Sequence, residues 1–190
     1  MERPQSMQVR GDILFFLRHY VERNFGVEGY GLWLESLPSE SRSILGPRLE
    51  VSSWYPAEDS LAVPLERICA LFHEGDKDGA MEFGRDLADH LSRGKRIVMK
   101  MDLPENVLRR EGGSVLTFCG PGLVEAPLAA PCMAILRFWR FQGMSPVLEN
   151  MLGGYLEKLA EHSGGLNAHY QVSASLSQGS PYSELVLTWD

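Results

Sequence analysis

The chain has 190 residues, 44% hydrophobic and 23% charged, with no low-complexity tract or internal repeat, a composition that predicts one ordinary globular domain and excludes disordered, fibrous and repeat classes. A formal charge of −7 opposes binding driven by phosphate neutralisation, so nucleic acid is not an expected partner. Three cysteines, Cys69, Cys119 and Cys132, form no C-x-x-C pair and leave an odd count, and no apolar run reaches about 18 residues or follows a charged start, so a cytoplasmic protein without a membrane span or signal peptide is expected.

From the N-terminus the hydrophobic spacing is helical. After Val9-Arg10-Gly11, Ile13, Phe16, Leu17, Tyr20 and Val21 form one stripe, and short helices are predicted over 29–37, 39–45, 61–73 and 104–110. Met81, Gly84, Leu87, Ala88 and Leu91 form another stripe. Val51-Ser-Ser-Trp54-Tyr55-Pro56 interrupts the helical spacing, and its proline holds the two aromatics extended. The basic run Arg93-Gly-Lys95-Arg96, continuing to Lys100, reads as a solvated cap complementing a helix C-terminus. Beyond Glu111-Gly112-Gly113 the pattern turns to alternation, predicting strands over 114–119 and 132–141. Ser145-Pro146 reads as an N-cap followed by proline at the first helical position. The helix it opens carries Val147, Leu148, Met151, Leu152, Tyr155, Leu156 and Leu159 on one broad face and stops at Ser163-Gly164-Gly165. Strands over 168–176 and 183–189, joined by Gln178-Gly179-Ser180-Pro181, complete the chain. The expected architecture is α+β: a helical half, about 1–111, packed on a half of about 112–190 that holds one long helix and a four-stranded antiparallel sheet in the order β-β-α-β-β.

The last segment has a distinctive frame, Ser175 and Ser183 eight apart with Gly179 midway, then Glu184 and an apolar strand ending at Trp189. It resembles the vinyl reductase type of small-molecule-sensing domain, in which cysteines stand where these serines do. With Val51–Pro56, Leu37-Pro38, Phe83-Gly84-Arg85 and Leu185–Trp189 in the same order, the whole chain resembles a paralogous myxobacterial family of uncharacterised proteins. The resemblance implies a haem-nitric-oxide-binding-like fold, a ligand held between the two halves, and kinship with domains that bind aromatic effectors, haem or an acyl chain.

In phenol-sensing relatives the two cysteines contribute thiolates to zinc. Serine hydroxyls stay protonated near neutral pH and cannot replace them, so no metal is expected. The frame is expected to persist because glycine allows positive φ and the serines bond nearby backbone. Haem is not expected either: the Y-x-S-x-R triplet of the nitric-oxide sensors is absent, and His19, His73, His90, His162 and His169 are scattered, mostly where charged neighbours suggest solvated surface. Dinucleotide, phosphate-loop, nucleophile-elbow and H-E-x-x-H motifs are missing, so no cofactor and no enzymatic role are expected.

Trp54 and Tyr55 read as an aromatic anchor joining the helical half to the sheet, as a ligand contact in a pocket wall, or as a surface for partner recognition. Trp139 on the second strand and Tyr155 on the long helix are the other candidate ligand contacts. Arg137 and Arg140 fall on opposite faces of that strand, which suggests an edge or an interface. Cys119 and Cys132 fall on neighbouring predicted strands. Two functional classes remain: a non-catalytic sensory or regulatory domain binding a small apolar or acyl ligand, and a ligand-free interaction module working as a homodimer or with a signalling partner.

Overall fold

The computed structural model describes residues 6–190. A short strand β1 (Gln8–Arg10) leads into α1 (Gly11–Ser36), whose buried residues Ile13, Leu14, Phe16, Leu17, Tyr20 and Val21 are the predicted stripe. Gly26, at φ 72°, breaks α1, and the segment beyond it buries Gly29 and Trp33, which is why a separate second helix is legible in the sequence. There follow α2 (Ser39–Ile44), β2 (Trp54–Pro56), a π-helical turn (Glu58–Ala62) running into α3 (Val63–Phe72), then α4 (Asp78–Leu91), α5 (Arg96–Lys100) and α6 (Pro104–Gly112). A 3-10 turn (Gly113–Thr117) and β3 (Cys119–Gly120) open the second half, followed by β4 (Leu123–Ala130), β5 (Met133–Trp139), α7 (Pro146–His162), β6 (His169–Ala174) and β7 (Tyr182–Thr188).

The strands make two sheets. β2, β1 and β3 form a small antiparallel sheet that ties the N-terminal strand to the Trp54–Pro56 segment and to the start of the second half. The larger sheet has the order β4-β5-β7-β6, antiparallel throughout. Its fourth member is not the predicted 114–119. Val115 and Phe118 there are buried three residues apart, which suits a 3-10 turn, where side chains at i and i+3 eclipse. β4 takes the place instead; it is an edge strand whose register shifts between Glu125 and Leu128, so Pro127 sits at a bulge where no ladder donor is needed.

The inner face of the larger sheet, carrying Ala134, Leu136, Phe138, Leu185 and Leu187, is covered by α6 on one side and α7 on the other, with α4 packed behind α7. α7 is therefore buried almost all round, not on one face, as befits a helix sandwiched between layers. Adjacent glycines fit both contacts: a Cβ on Gly153 would meet the Tyr170 ring of β6 at 2.3 Å, and one on Gly154 the carbonyl oxygen of Met81 on α4 at 2.1 Å. Gly84 of α4 answers Gly154, since a Cβ there would stand 1.9 Å from the carbonyl oxygen of Met151. Buried residues of the helical half, such as Leu17, Leu87 and Leu108, join Leu136, Phe138 and Leu152 in one continuous core.

Two expectations are corrected by this packing. Trp54 is 43% exposed, so it is not a buried anchor between the halves; Trp33, within the helical half, is fully buried, with its indole N–H donating to the Pro64 carbonyl at 3.0 Å. Trp33→Ala is accordingly expected to cost about 3–5 kcal/mol and Trp54→Ala under about 1 kcal/mol, a contrast that parallel urea titrations would measure. The strand with Arg137 is interior, because β5 lies between β4 and β7; Arg137 crosses the solvent face to Glu184 at 2.6 Å, and Arg140 lies past the strand end at φ 62°.

Candidate functional site

The N-terminus of α7 brings four elements together in one groove. Ser145 turns the chain in extended conformation (φ −120°, ψ 162°) and Pro146 starts the helix, as its sequence predicts, although the Ser145 hydroxyl is buried without a partner. One side of the groove is a cleft of 260 Å³ between α3 and α7, lined by Glu66, Cys69, Ala70, Gly75, Lys77, Pro146 and Val147, with a mainly apolar wall. The other side is a more enclosed cleft of 160 Å³ against β6 and the turn after it, where Glu149, Asn150, Ser173, Ser175 and Gln178 supply polar groups. Lys77 and Pro146 line both, so Lys77 stands where the apolar and polar portions meet.

The floor of the polar portion is a buried carboxylate held by hydroxyls. Glu149 is 3% exposed; Ser175 donates to it at 2.8 Å, and Ser183 donates to the same carboxylate. Ser183 also accepts the Leu176 backbone N–H at 3.0 Å, and Ser175 and Ser177 share a hydrogen bond of 2.7 Å. Gly179 takes the left-handed conformation, φ 87°, that closes the turn. The serine-glycine-serine frame thus does what its residue types allow, pinning the β6–β7 turn, but it does so largely through α7. Nothing in the frame itself points to Glu149. The signal lies in the helix: with Gly153, Leu156 and Ala160 it heads an otherwise apolar stripe, where a carboxylate is out of place.

The other sequence candidates do not converge. Trp54 is exposed on the small sheet, and Tyr55 is half-buried with its hydroxyl accepting the Glu50 N–H at 2.9 Å. Trp139 lies on the outer face of the larger sheet, packed on Tyr182 with its indole N–H donating to Glu125 at 2.8 Å. Tyr155 is buried on the inner side, edge-on to Phe118 and 3.3 Å from the Ser114 hydroxyl, and burial pushes its phenol up to about 12. None of the four lines either portion of the groove. Cys119 and Cys132 do not approach across paired strands: Cys119 is in the small sheet, with burial pushing its thiol up to about 12, and Cys132 is exposed at the β4–β5 turn.

A third cleft, 270 Å³, lies between α1, α4 and α7 and is lined by Tyr20, Asn24, Glu82, Arg85, Asp86, Asp89 and Lys158. Its charged residues are met by partners just outside the lining. Arg85 reaches Glu157 at 2.8 Å and also Glu161, and Arg23 reaches Asp86. At its end His162 meets Asp89 at 2.8 Å, while its other ring nitrogen is buried without a partner. His162 and His73 are thus largely buried, contrary to the solvated reading, whereas His19, His90 and His169 are exposed. Burial lowers the His162 pKa against the opposing pull of Asp89. The unfolded imidazole then protonates first, so this group contributes stability above about pH 6.5 that is lost as pH falls toward its lower folded value. Urea midpoints should fall between about pH 7 and 5, less steeply for His162→Gln.

The architecture is an α+β fold with helices packed on a C-terminal four-stranded sheet, the fold of H-NOX proteins. No protein-family model matches the chain, and no curated protein matches it. Among solved structures, an H-NOX protein from S. oneidensis in the Fe(II)NO ligation state superposes with a TM-score of 0.69 at 19% identity, covering 95% of this chain and 99% of that one. The Fe(II) unliganded H-NOX protein from K. algicida gives 0.66 at 12%, covering 95% and 96%. A mutant of T. tengcongensis H-NOX gives 0.61 at 10%, covering 95% and 97%. At these identities the likeness is one of fold.

The residues of this chain do not fit a haem. An axial ligand must reach an enclosed slot. His162 is held by Asp89, His90 stacks on Phe16 at the surface with ring centroids 4.5 Å apart, His169 faces Glu157 at 3.6 Å and His19 is exposed. His73 has a buried, unpartnered Nε2, but that atom faces Glu82 at 3.9 Å beside an open acidic loop. At Gly84 and Gly154, α4 and α7 pack backbone against backbone, so no flat macrocycle fits along that seam. The serine frame does not suit zinc, since both hydroxyls already donate to Glu149.

Proposed function

We propose that this protein is a non-catalytic sensory or regulatory domain that binds a small apolar or acyl ligand in the groove at the N-terminus of α7, independently of haem. The observation that carries the reading is the groove's make-up: an apolar cleft bridging α3 of the helical half to α7 of the sheet half, with Lys77 at the junction to a polar portion. An amphiphile of modest size, a short-chain carboxylate above all, satisfies both portions, its chain against Ala70, Pro146 and Val147 and its anion at Lys77. A space of 260 Å³ favours short chains over long ones. A ligand there touches both halves at once, which is how occupancy would bias their relative packing.

A non-catalytic role is supported by the chemistry of the buried hydroxyls, which donate to a carboxylate with no histidine beside them to act as base. The proposal takes residues 1–190 as one functional unit in the cytoplasm, acting through a signalling partner. The Val51–Pro56 segment and the serine frame support membership of the myxobacterial paralogous family. The alternative is a ligand-free interaction module acting as a homodimer, with no internal ligand space, as along the packed α4–α7 seam. A thermal-shift screen of fatty acids, phenols and isoprenoids separates the two. At 100 times its dissociation constant a groove ligand stabilises by about 2.7 kcal/mol, raising the melting temperature roughly 5–10 °C. Flat shifts throughout would leave the interaction module.

A further inference from the structure

We infer that the α5 segment is a docking surface for an anionic lipid membrane. Residues 93–101 contain Arg93, Lys95, Arg96 and Lys100 and no carboxylate, in a chain whose formal charge is −7. Met101 and Ile97, at 85% and 80%, are the most exposed large hydrophobic residues among those described, and Val98 and Leu103 beside them are 62% and 59% exposed. Ile97 and Met101 are four apart, so they project from the same side of the α5 turn, while Met99, 1% exposed, anchors it to the body.

Three carboxylates next to this segment are already met by cations. Asp89 pairs with Arg96 and His162, Asp102 with Arg110 at 2.8 Å, and Glu111 with Lys95 at 3.3 Å and Arg110 at 3.2 Å. Arg93 and Lys100 make no ion pair among the described residues and are exposed, so the outward charge is positive. Arg96 does reach the Asp89 carbonyl at 3.4 Å, in keeping with a cap on α4, but capping uses one cation of four and none of the apolar side chains.

Shape decides between a bilayer and a protein as occupant. A partner helix needs a groove to fill, whereas Ile97, Val98, Met101 and Leu103 stand out into solvent at 59–85% exposed. Side chains that project singly need no complementary shape where the occupant is fluid: a headgroup region admits the apolar tips while its anions meet the flanking cations. One short segment gives reversible, peripheral attachment, not a span, and no helix among the described residues is long and apolar enough to cross a membrane.

Co-sedimentation of the full chain with vesicles tests this directly. Partition onto vesicles about one-third phosphatidylserine should exceed that onto phosphatidylcholine alone by at least about tenfold, and should weaken toward about 0.5 M salt. Ile97→Ser with Met101→Ser, and separately Arg93→Ser with Lys100→Ser, should each bring it near the phosphatidylcholine value; these exposed positions leave folding intact, as circular dichroism would verify. Equal partition onto both vesicle types, or undiminished binding by the apolar double variant, would overturn the proposal. So would saturable binding of poly-glutamate without vesicle binding, which would make the patch a site for acidic protein.

Discussion

Gly84→Ala is expected to destabilise the protein by about 3 kcal/mol or more, although alanine is the better helix former by about 1 kcal/mol. The added methyl would stand 1.9 Å from the Met151 carbonyl oxygen, and that oxygen belongs to the backbone of a helix locked between two layers. Neither a rotamer change nor a local shift relieves the clash, so α4 and α7 must part along their length. Gly154→Ala forces the same separation from the other side, against the Met81 carbonyl oxygen at 2.1 Å. The double variant should therefore cost less than the two single losses added, because the second methyl enters a seam already opened. Gly31→Ala is the control: nothing lies within 4 Å of its Cβ position in α1, and stabilisation of up to about 1 kcal/mol is expected. Chemical denaturation of the four variants beside wild type measures all of this, and a Gly84→Ala protein as stable as wild type would show that the two helices are not in backbone contact.

Glu149→Ala is expected to cost about 3 kcal/mol. Removing the carboxylate strands two buried hydroxyls, Ser175 and Ser183, that have donated to it, and leaves a void under the β6–β7 turn. Glu149→Gln retains the shape and one acceptor oxygen, and the hydroxyl rotors can accept from its amide, so a loss of about 1 kcal/mol or less is expected. The contrast separates a hydrogen-bonding role from a packing role. Equal losses for alanine and glutamine would mean the charge itself is required; a loss below about 1 kcal/mol for alanine would mean the turn holds without α7.

What the sequence discloses and what it hides divide along physical lines. α7 is legible because Ser145-Pro146 and Ser163-Gly164-Gly165 punctuate it and its apolar spacing is long. The break in α1 is legible because Gly26 separates two buried stripes. β4 is not, since Glu125-Ala-Pro-Leu-Ala-Ala has little strand propensity and becomes a strand through pairing with β5. Residues 114–119 mislead because buried positions three apart within an alternating run satisfy two periods at once. The site is half legible. Ser175, Gly179 and Ser183 stand out by spacing, but their partner Glu149 is 26 residues from the first of them, and Lys77, Ala70 and Val147 bear no motif. Trp54 stands out by size, which says nothing of the direction a side chain takes from a two-sided strand.

The central claim is that a small amphiphile occupies the groove between α3 and α7, and native mass spectrometry of the protein with octanoate tests it most directly, wild type beside Ala70→Trp. Ala70 is exposed on the groove wall, so an indole there fills the apolar portion without disturbing the core. A one-to-one octanoate adduct on wild type that is absent from Ala70→Trp is the predicted result. Bare protein in both samples, or an adduct of equal abundance in both, would contradict it.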